Sequence, residues 1–471
     1  MKCDRCFFLA AVVATLFAAP QMAAPQDSIR TVQLHVTPKA EPQPALQYRL
    51  EVPYKDQRMG NAALLYNTAI SWVRDVKSGY ADFDSRKLAD WQNASVGKLP
   101  IEEVRRLISR FGRAIEYAEM ASRCEQCVWE YPMRERGMAT LLPGLSEYRD
   151  LSRVLALKTR LEVRDGNIAE AMNTLGIGFS IARDVGKGPS LLHGLVGLAI
   201  ASHMHREIEG LIQRAEAPNL YWALTEMPQP LVSFHRALQA ESQCLYIALP
   251  ELRTLDERVL SNDEVTGLWR KLGAMADMET DSGDWLEQRL AGIVGTSKVY
   301  RQARQWLIDR GRSAQEVESL PIFYVVLLHD HHRYECLWDE QLKWFSMSYW
   351  QAADELEDIQ TRIKEYAEES STGELFAAMF PSLRRVFFLD ARYKRDLAML
   401  RCVEALRIYA AAHDGHLPSS LSDITEVPVP LDPLYGRAFF YEVTGNQAVL
   451  ESPAPAEGRP REGLRYEIAL R

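Results

Sequence analysis

The stretch LSEYRDLSRVLALKTRLEVRDGNIAEAMNTLGIGFSIARDVG, residues 145–186, sets the fold class. Leu151, Val154, Leu157 and Leu161 recur at three- and four-residue steps and draw one apolar stripe. Ile168, Ala171, Leu175, Ala182 and Val185 draw a second. RDGN lies between them, and Gly166 can adopt the positive φ of a tight reversal. The expectation is an antiparallel helical hairpin.

The helical period extends to both sides. SLLHGLVGLAIASHMHREIEGLIQ supplies a third helix after Gly188 and Pro189, and the spacing continues through VESLPIFYVVLLHDHH to RRVFFLDARYKRDLAMLRCVEALRIYAAAH. Upstream, LPIEEVRRLISRFGRAIEYAEMA reads as one amphipathic helix with Pro100 in its first turn. Glu102 and Glu103 favour the positive end of its dipole, and Ile101, Val104, Ile108, Phe111, Ile115 and Ala118 form its stripe. The polar stretches DSGD, residues 281–284, and STGE, residues 371–374, are expected loops.

The two ends differ. MKCDRCFFLAAVVATLFAAPQMAA places Lys2 and Arg5 before a short apolar run, the order of a secretory signal peptide, with cleavage expected between Ala18 and Ala24. Export to the periplasm or surface of a bacterium follows. No stable membrane span is expected after its removal, since LLHGLVGLAIASHM is interrupted by His193 and His203. Residues 25–60 are dotted with proline and hold two alternating runs, TVQLHV and LQYRLEV, expected as short strands. From Asp414 the turn-rich HDGHLPSSLSDITEVPVPLDPLYGR leads to AFFYEV, QAVLES and LRYEIAL, a hairpin turning at Gly445 and Asn446 and a third strand. The plan is a signal peptide (1–24), an extended segment (25–60), a helical body (61–390) and a small α+β module (391–471).

Composition narrows the function. The 471 residues are 47% hydrophobic and 25% charged, ordinary globular material for two or three domains. A net charge of −9 argues against nucleic-acid binding, which needs a basic stripe to neutralise phosphates. No nucleophile elbow, phosphate-binding glycine loop or dinucleotide fingerprint occurs, and no cofactor is expected. Cys124, Cys127, Cys244, Cys336 and Cys402 follow the leader, an odd number.

Several clusters invite chemistry. In LLHDHHRYEC, residues His329, His332 and Cys336 fall on one helical stripe that runs back through Val325 and Ile322, and they are the candidate metal ligands. Against them stands a half-buried helix face that uses imidazoles as packing groups. CEQC sets Cys124 and Cys127 close together; a local disulfide or packed thiols is expected, because neither the flanking elements of a redox motif nor a second zinc ligand pair is visible. HMHREIE puts His203 and Glu207 on one face, with His205 elsewhere, and reads as solvated helix surface. The aromatics Trp338, Trp344, Phe345, Tyr349 and Trp350 read as a packing seam. In YAAAHDGHLPSSLSD, residues 409–423, His413 is expected to continue the core face of Met399, Val403, Leu406 and Ala410, and Gly415 to stop the helix in a left-handed conformation.

From Gly166 to Ala171 and the small Gly178, the hairpin resembles the second half of a tetratricopeptide repeat, where small residues let helices approach closely. GNAALLYNTAI, the hairpin region through GLVGLAIA, and EALRIYAAAHDGHLPSSLSDI together resemble a group of uncharacterised exported helical bacterial proteins, a likeness that implies no activity. RCVEALRIYAAAHDGHLPSSLSDI followed by PLDPLYGRAFFYEV is similar to the globular part of major pseudopilins of type II secretion systems. That resemblance implies the fold of the tail. It does not imply filament assembly, because the helix is internal here, nor calcium, because Arg459 and Arg461 dilute Glu457 and Glu462. The resulting expectation is a mainly α protein: a helical-hairpin, tetratricopeptide-like body with a C-terminal α+β pilin-like module. It would serve as an exported soluble scaffold that binds protein or peptide. The alternatives are a metal-dependent enzyme with its site in the helical body and an accessory of a secretion filament.

Overall fold

The computed structural model describes residues 28–80, 83–137, 140–275, 297–369, 371–455 and 458–471. The expected signal peptide and the DSGD loop lie outside them. The chain is mainly helical with a small mixed sheet, and it divides into two units. The larger holds residues 28–130, Leu142–Ala237 and Leu389–Arg471; the other holds Tyr131–Leu141 and Leu238–Phe388. This division cuts across the linear order of body and tail, because the first strand, the hairpin and the tail share one unit.

In the larger unit, helices Leu145–Arg164 and Ile168–Gly186 form the hairpin, with Gly166 at φ 82° in the turn. The Ser190 hydroxyl caps helix Leu191–Leu211 by accepting from the Leu192 amide at 3.1 Å. Both stripes are buried except at Ile168, which is half-buried, and each fully buried leucine contributes about 2 kcal/mol. The small residues serve a different contact from the one expected. A Cβ on Gly178 would lie 2.1 Å from the Met204 sulfur, and one on Gly197 would lie 2.6 Å from the Ala182 carbonyl oxygen. The close approach is therefore with the third helix, not with the hairpin partner.

LPIEEVRRLISRFGRAIEYAEMA is two helices, Ile101–Arg110 and Gly112–Ser122. Phe111, at ψ 2°, turns the chain between them while its ring stays buried, and Gly112 does little to hold a continuous helix. HMHREIE is not solvated surface. His205 and Glu207 are buried, and Arg160 binds Glu207 at 3.0 Å while donating to the carbonyls of Gln92 and Ala94. The third helix is packed around most of its circumference, so its polar residues need internal partners.

Strand β1 (Arg30–Val36) confirms TVQLHV, and β2 (Arg58–Asn61) and β3 (Cys124–Gln126) make a minor parallel pair. With β4 (Phe440–Thr444), β5 (Gln447–Ser452) and β6 (Leu464–Leu470), β1 builds a sheet of order β1-β6-β5-β4. The last three strands are antiparallel, whereas β1 lies parallel to β6 from Arg30 opposite Leu464 to Val36 opposite Leu470. LQYRLEV forms no strand. It crosses helix Ile168–Gly186, with the Leu50 carbonyl oxygen 3.5 Å from where a Cβ on Gly176 would stand, and prolines 44 and 53 bracket it.

After helix Leu383–Ala412, Asp414 (φ 52°) and Gly415 (φ 80°) reverse the chain, and the Gly415 amide reaches the Ala410 carbonyl at 2.8 Å. Met399, Val403, Leu406 and Ala410 are buried as expected, but His413 is exposed and stacks on Tyr409 at 3.8 Å. The helix ends at Ala412, so His413 has already left the core face.

A buried ion pair ties β1 to the third helix. Arg30 binds Glu209 at 2.7 Å, and Glu209 accepts from the Tyr466 hydroxyl at 2.8 Å. Burial alone would raise the Glu209 carboxyl, but Arg30, His205 and Tyr466 outweigh it and hold the group down at about 2. A depressed carboxyl stabilises the fold above its unfolded value near 4.5 and loses that contribution as pH falls toward 2. Acid titration of near-ultraviolet circular dichroism is expected to show loss of native signal in this window, with a shallower dependence in Glu209→Gln. Identical profiles would remove the pair as the cause.

In the smaller unit, helices His235–Ala248, Asn262–Met275, Ser297–Asp309, Ile322–Trp344, Tyr349–Glu369 and Ser371–Ala377 pack together. STGE is therefore helical, not a loop: Glu374 sits in the first turn, where the dipole favours it, and Phe376 anchors the helix in the core. Among the described residues no helix is long and apolar enough to cross a membrane.

Candidate functional site

An open groove of about 690 Å³ lies in the smaller unit, and helix Ile322–Trp344 forms one wall. That helix begins at Pro321, after a capping box in which Ser313 and Glu316 exchange bonds across Ala314–Ser319. Tyr324, Val325, Leu328, Tyr334 and Trp338 are buried and fix its rotation, although Ile322, expected on the same stripe, is exposed. His331, His332, Glu335, Cys336 and Asp339 then face the groove.

Of the three metal candidates, the structure brings two together. Cys336 Sγ is 3.3 Å from His332 Nε2. His332 also meets the Arg310 guanidinium and lies 5.0 Å from the Trp306 ring, while His329 meets the same indole edge-to-face at 5.7 Å and bonds Asp330 at 3.1 Å. The shared stripe is real, but it packs on Trp306. Among the described residues no group of three His, Cys, Asp or Glu side chains is placed to hold a metal ion. A fixed cation at the His332 nitrogen opposes a second one there.

His331 was not singled out in the sequence, yet it is the more buried imidazole. It bonds the Tyr246 hydroxyl at 3.2 Å, and Tyr246 donates to Glu335 at 3.0 Å. Burial lowers His331 despite Glu335, and burial with Arg310 lowers His332. Burial and Glu335 push the Tyr246 phenol up. The protein around Cys336 raises its thiol; Arg310 opposes this and Asp339, Glu335 and Glu340 reinforce it. Burial therefore favours the neutral form of each of these groups.

Arg253 lies over Tyr246, 5.8 Å from the ring, and Arg310 over Trp306 at 4.7 Å. Asp256, Glu335 and Asp339 supply the opposite charge along the same groove. Trp306, Arg310, Tyr246 and Arg253 escaped sequence reasoning because they come from elements far from residue 332 in the chain. A weak signal was present in Trp306 and Arg310, one helical turn apart.

Cys124 and Cys127 are both buried free thiols, so the structure has the packed-thiol form and no disulfide. Cys127 contacts the Asp184 carbonyl at 3.9 Å, and the same oxygen accepts from the Trp129 indole at 2.7 Å. Burial, with Asp184, pushes the Cys127 thiol up, and its environment is that of a packing group. The expected seam is present in part. Phe345 stacks on Phe387 at 4.6 Å and Tyr349 is buried, but Trp350 is exposed because the helix breaks after Trp344. Compared with known families, curated proteins and solved structures, the chain matches none.

Proposed function

We propose that the protein is an exported, noncatalytic scaffold that binds a peptide segment of another protein in the groove beside Trp306. The observation that carries this reading is the lining itself: aromatic walls from Trp306, Tyr246 and Trp338, with arginines and carboxylates interleaved along an open channel. Aromatic side chains give contact area at low entropic cost, and paired charges select register and orientation. Export rests on the leader-like order of Lys2, Arg5 and the apolar run. A tetratricopeptide-like origin of the helical body is supported by the hairpin and its third helix. A pilin-like origin of the tail is supported by one long helix followed by a three-strand meander.

Selection of a displayed peptide library on the purified protein tests the binding reading. Enriched peptides are expected to bind Trp306→Ala at least about tenfold more weakly, the scale of a lost aromatic anchor. No enrichment, or equal binding to the variant, would sink it.

A further inference from the structure

A second cluster of polar side chains lies in the larger unit. Helix Leu145–Arg164 presents Arg149, Ser152 and Arg153, and helix Leu191–Leu211 presents His203 and Arg206 beside them. Ser152 Oγ lies 2.8 Å from His203 Nδ1, which fixes the two faces together. Arg149, Arg153, His203 and Arg206 are each half-buried, so solvent still reaches them.

Around Arg149 the neighbouring cation Arg153 outweighs the neighbouring carboxylate Asp150, whereas Arg206 has Glu209, Asp396 and Glu207 about it. The Nε atoms of Arg149 and Arg153 are buried without a hydrogen-bond partner. The carboxylate that acts on Arg149 is Asp150, and its oxygens are already taken by Lys77 at 2.7 Å, Ser85 at 3.0 Å and Arg153 at 3.0 Å. Arg206 turns toward Asn93 at 3.3 Å. Burial first, then Arg153, Arg206 and Arg149, hold His203 well below its ordinary range. A buried Nε with no acceptor is costly, and the solvent-facing ends of such guanidiniums can fork onto an oxyanion.

We propose that Arg149 and Arg153 clamp a phosphate group at this face, with the Ser152 and His203 pair beside it. A phosphate beside Arg149 and Arg153 would offset their mutual repulsion and give the Arg149 guanidinium an acceptor. Nothing in this argument depends on the peptide groove.

Titration calorimetry and thermal unfolding of the full protein test it, using inorganic phosphate and glycerol phosphate against sodium chloride at matched ionic strength. Phosphate is expected to raise the unfolding midpoint above the chloride control. Arg149→Gln, which breaks no existing hydrogen bond of that side chain, is expected to keep the fold and bind at least about tenfold more weakly, the effect of removing a charged donor. Arg149→Lys should fall between, and Arg465→Gln on the sheet should bind as the parent does. Tighter binding of glycerol phosphate assigns the site to an esterified phosphate; tighter binding of inorganic phosphate assigns it to the free ion. The proposal is overturned if neither exceeds chloride, or if Arg149→Gln binds as well as the parent.

Discussion

Arg407→Met is expected to destabilise the larger unit by about 3–5 kcal/mol, the cost of leaving a buried charge uncompensated. Arg407 and Glu404 are both fully buried, 2.8 Å apart. The guanidinium also donates to the carbonyls of Thr37, Pro218 and Ala217, and Glu404 accepts from the Leu220 amide at 2.7 Å. One arginine thus satisfies three loop carbonyls that have little access to water. Methionine fills most of the volume but satisfies none of them, and it strands the carboxylate. Urea unfolding measures the loss. Adding Glu404→Gln should recover a large part, because the remaining amide is neutral and can still accept from Leu220. A single-variant loss below about 1 kcal/mol would show that water replaces the arginine, contrary to the burial argument.

Gly197→Val should produce the next largest loss, about 3 kcal/mol. Any Cβ at this position meets backbone, the Ala182 oxygen at 2.6 Å and Gly186 Cα at 3.2 Å, so relief requires two helices to separate. Gly178→Ala is the instructive contrast. Its new methyl meets the Met204 side chain, which can rotate away, and alanine recovers about 1 kcal/mol of helix propensity. The expected order of urea midpoints is parent, Gly178→Ala, then Gly197→Val. Equal midpoints for the two variants would mean that the helix crossing tolerates separation.

These examples show what could be read from sequence and what could not. Period placed the hairpin, β5 and β6, because each stripe records one buried face. The split at Phe111 and the helix at STGE were missed, since a one-residue change of direction leaves the stripe intact and a short helix is held by tertiary anchors such as Phe376. Sequence also identified the His329, His332 and Cys336 stripe but not its use. What faces that stripe, Trp306 and Arg310, is set by packing between elements and has no local signature. The same holds for Arg149. Its spacing from Arg153 is ordinary helix surface until the third helix covers one side.

The parallel seating of β1 against β6 sets an order of events in synthesis. Gln33 and Glu467, which bond across that pair, are 434 positions apart in the chain. At translation rates of roughly 5–20 residues per second, β1 waits roughly 20–90 s before its partner exists. During that time its apolar face, with Leu34 and Val36, must be kept from pairing elsewhere. Closing the sheet therefore cannot precede the emergence of Leu464–Leu470, however early the helices between the two strands have formed.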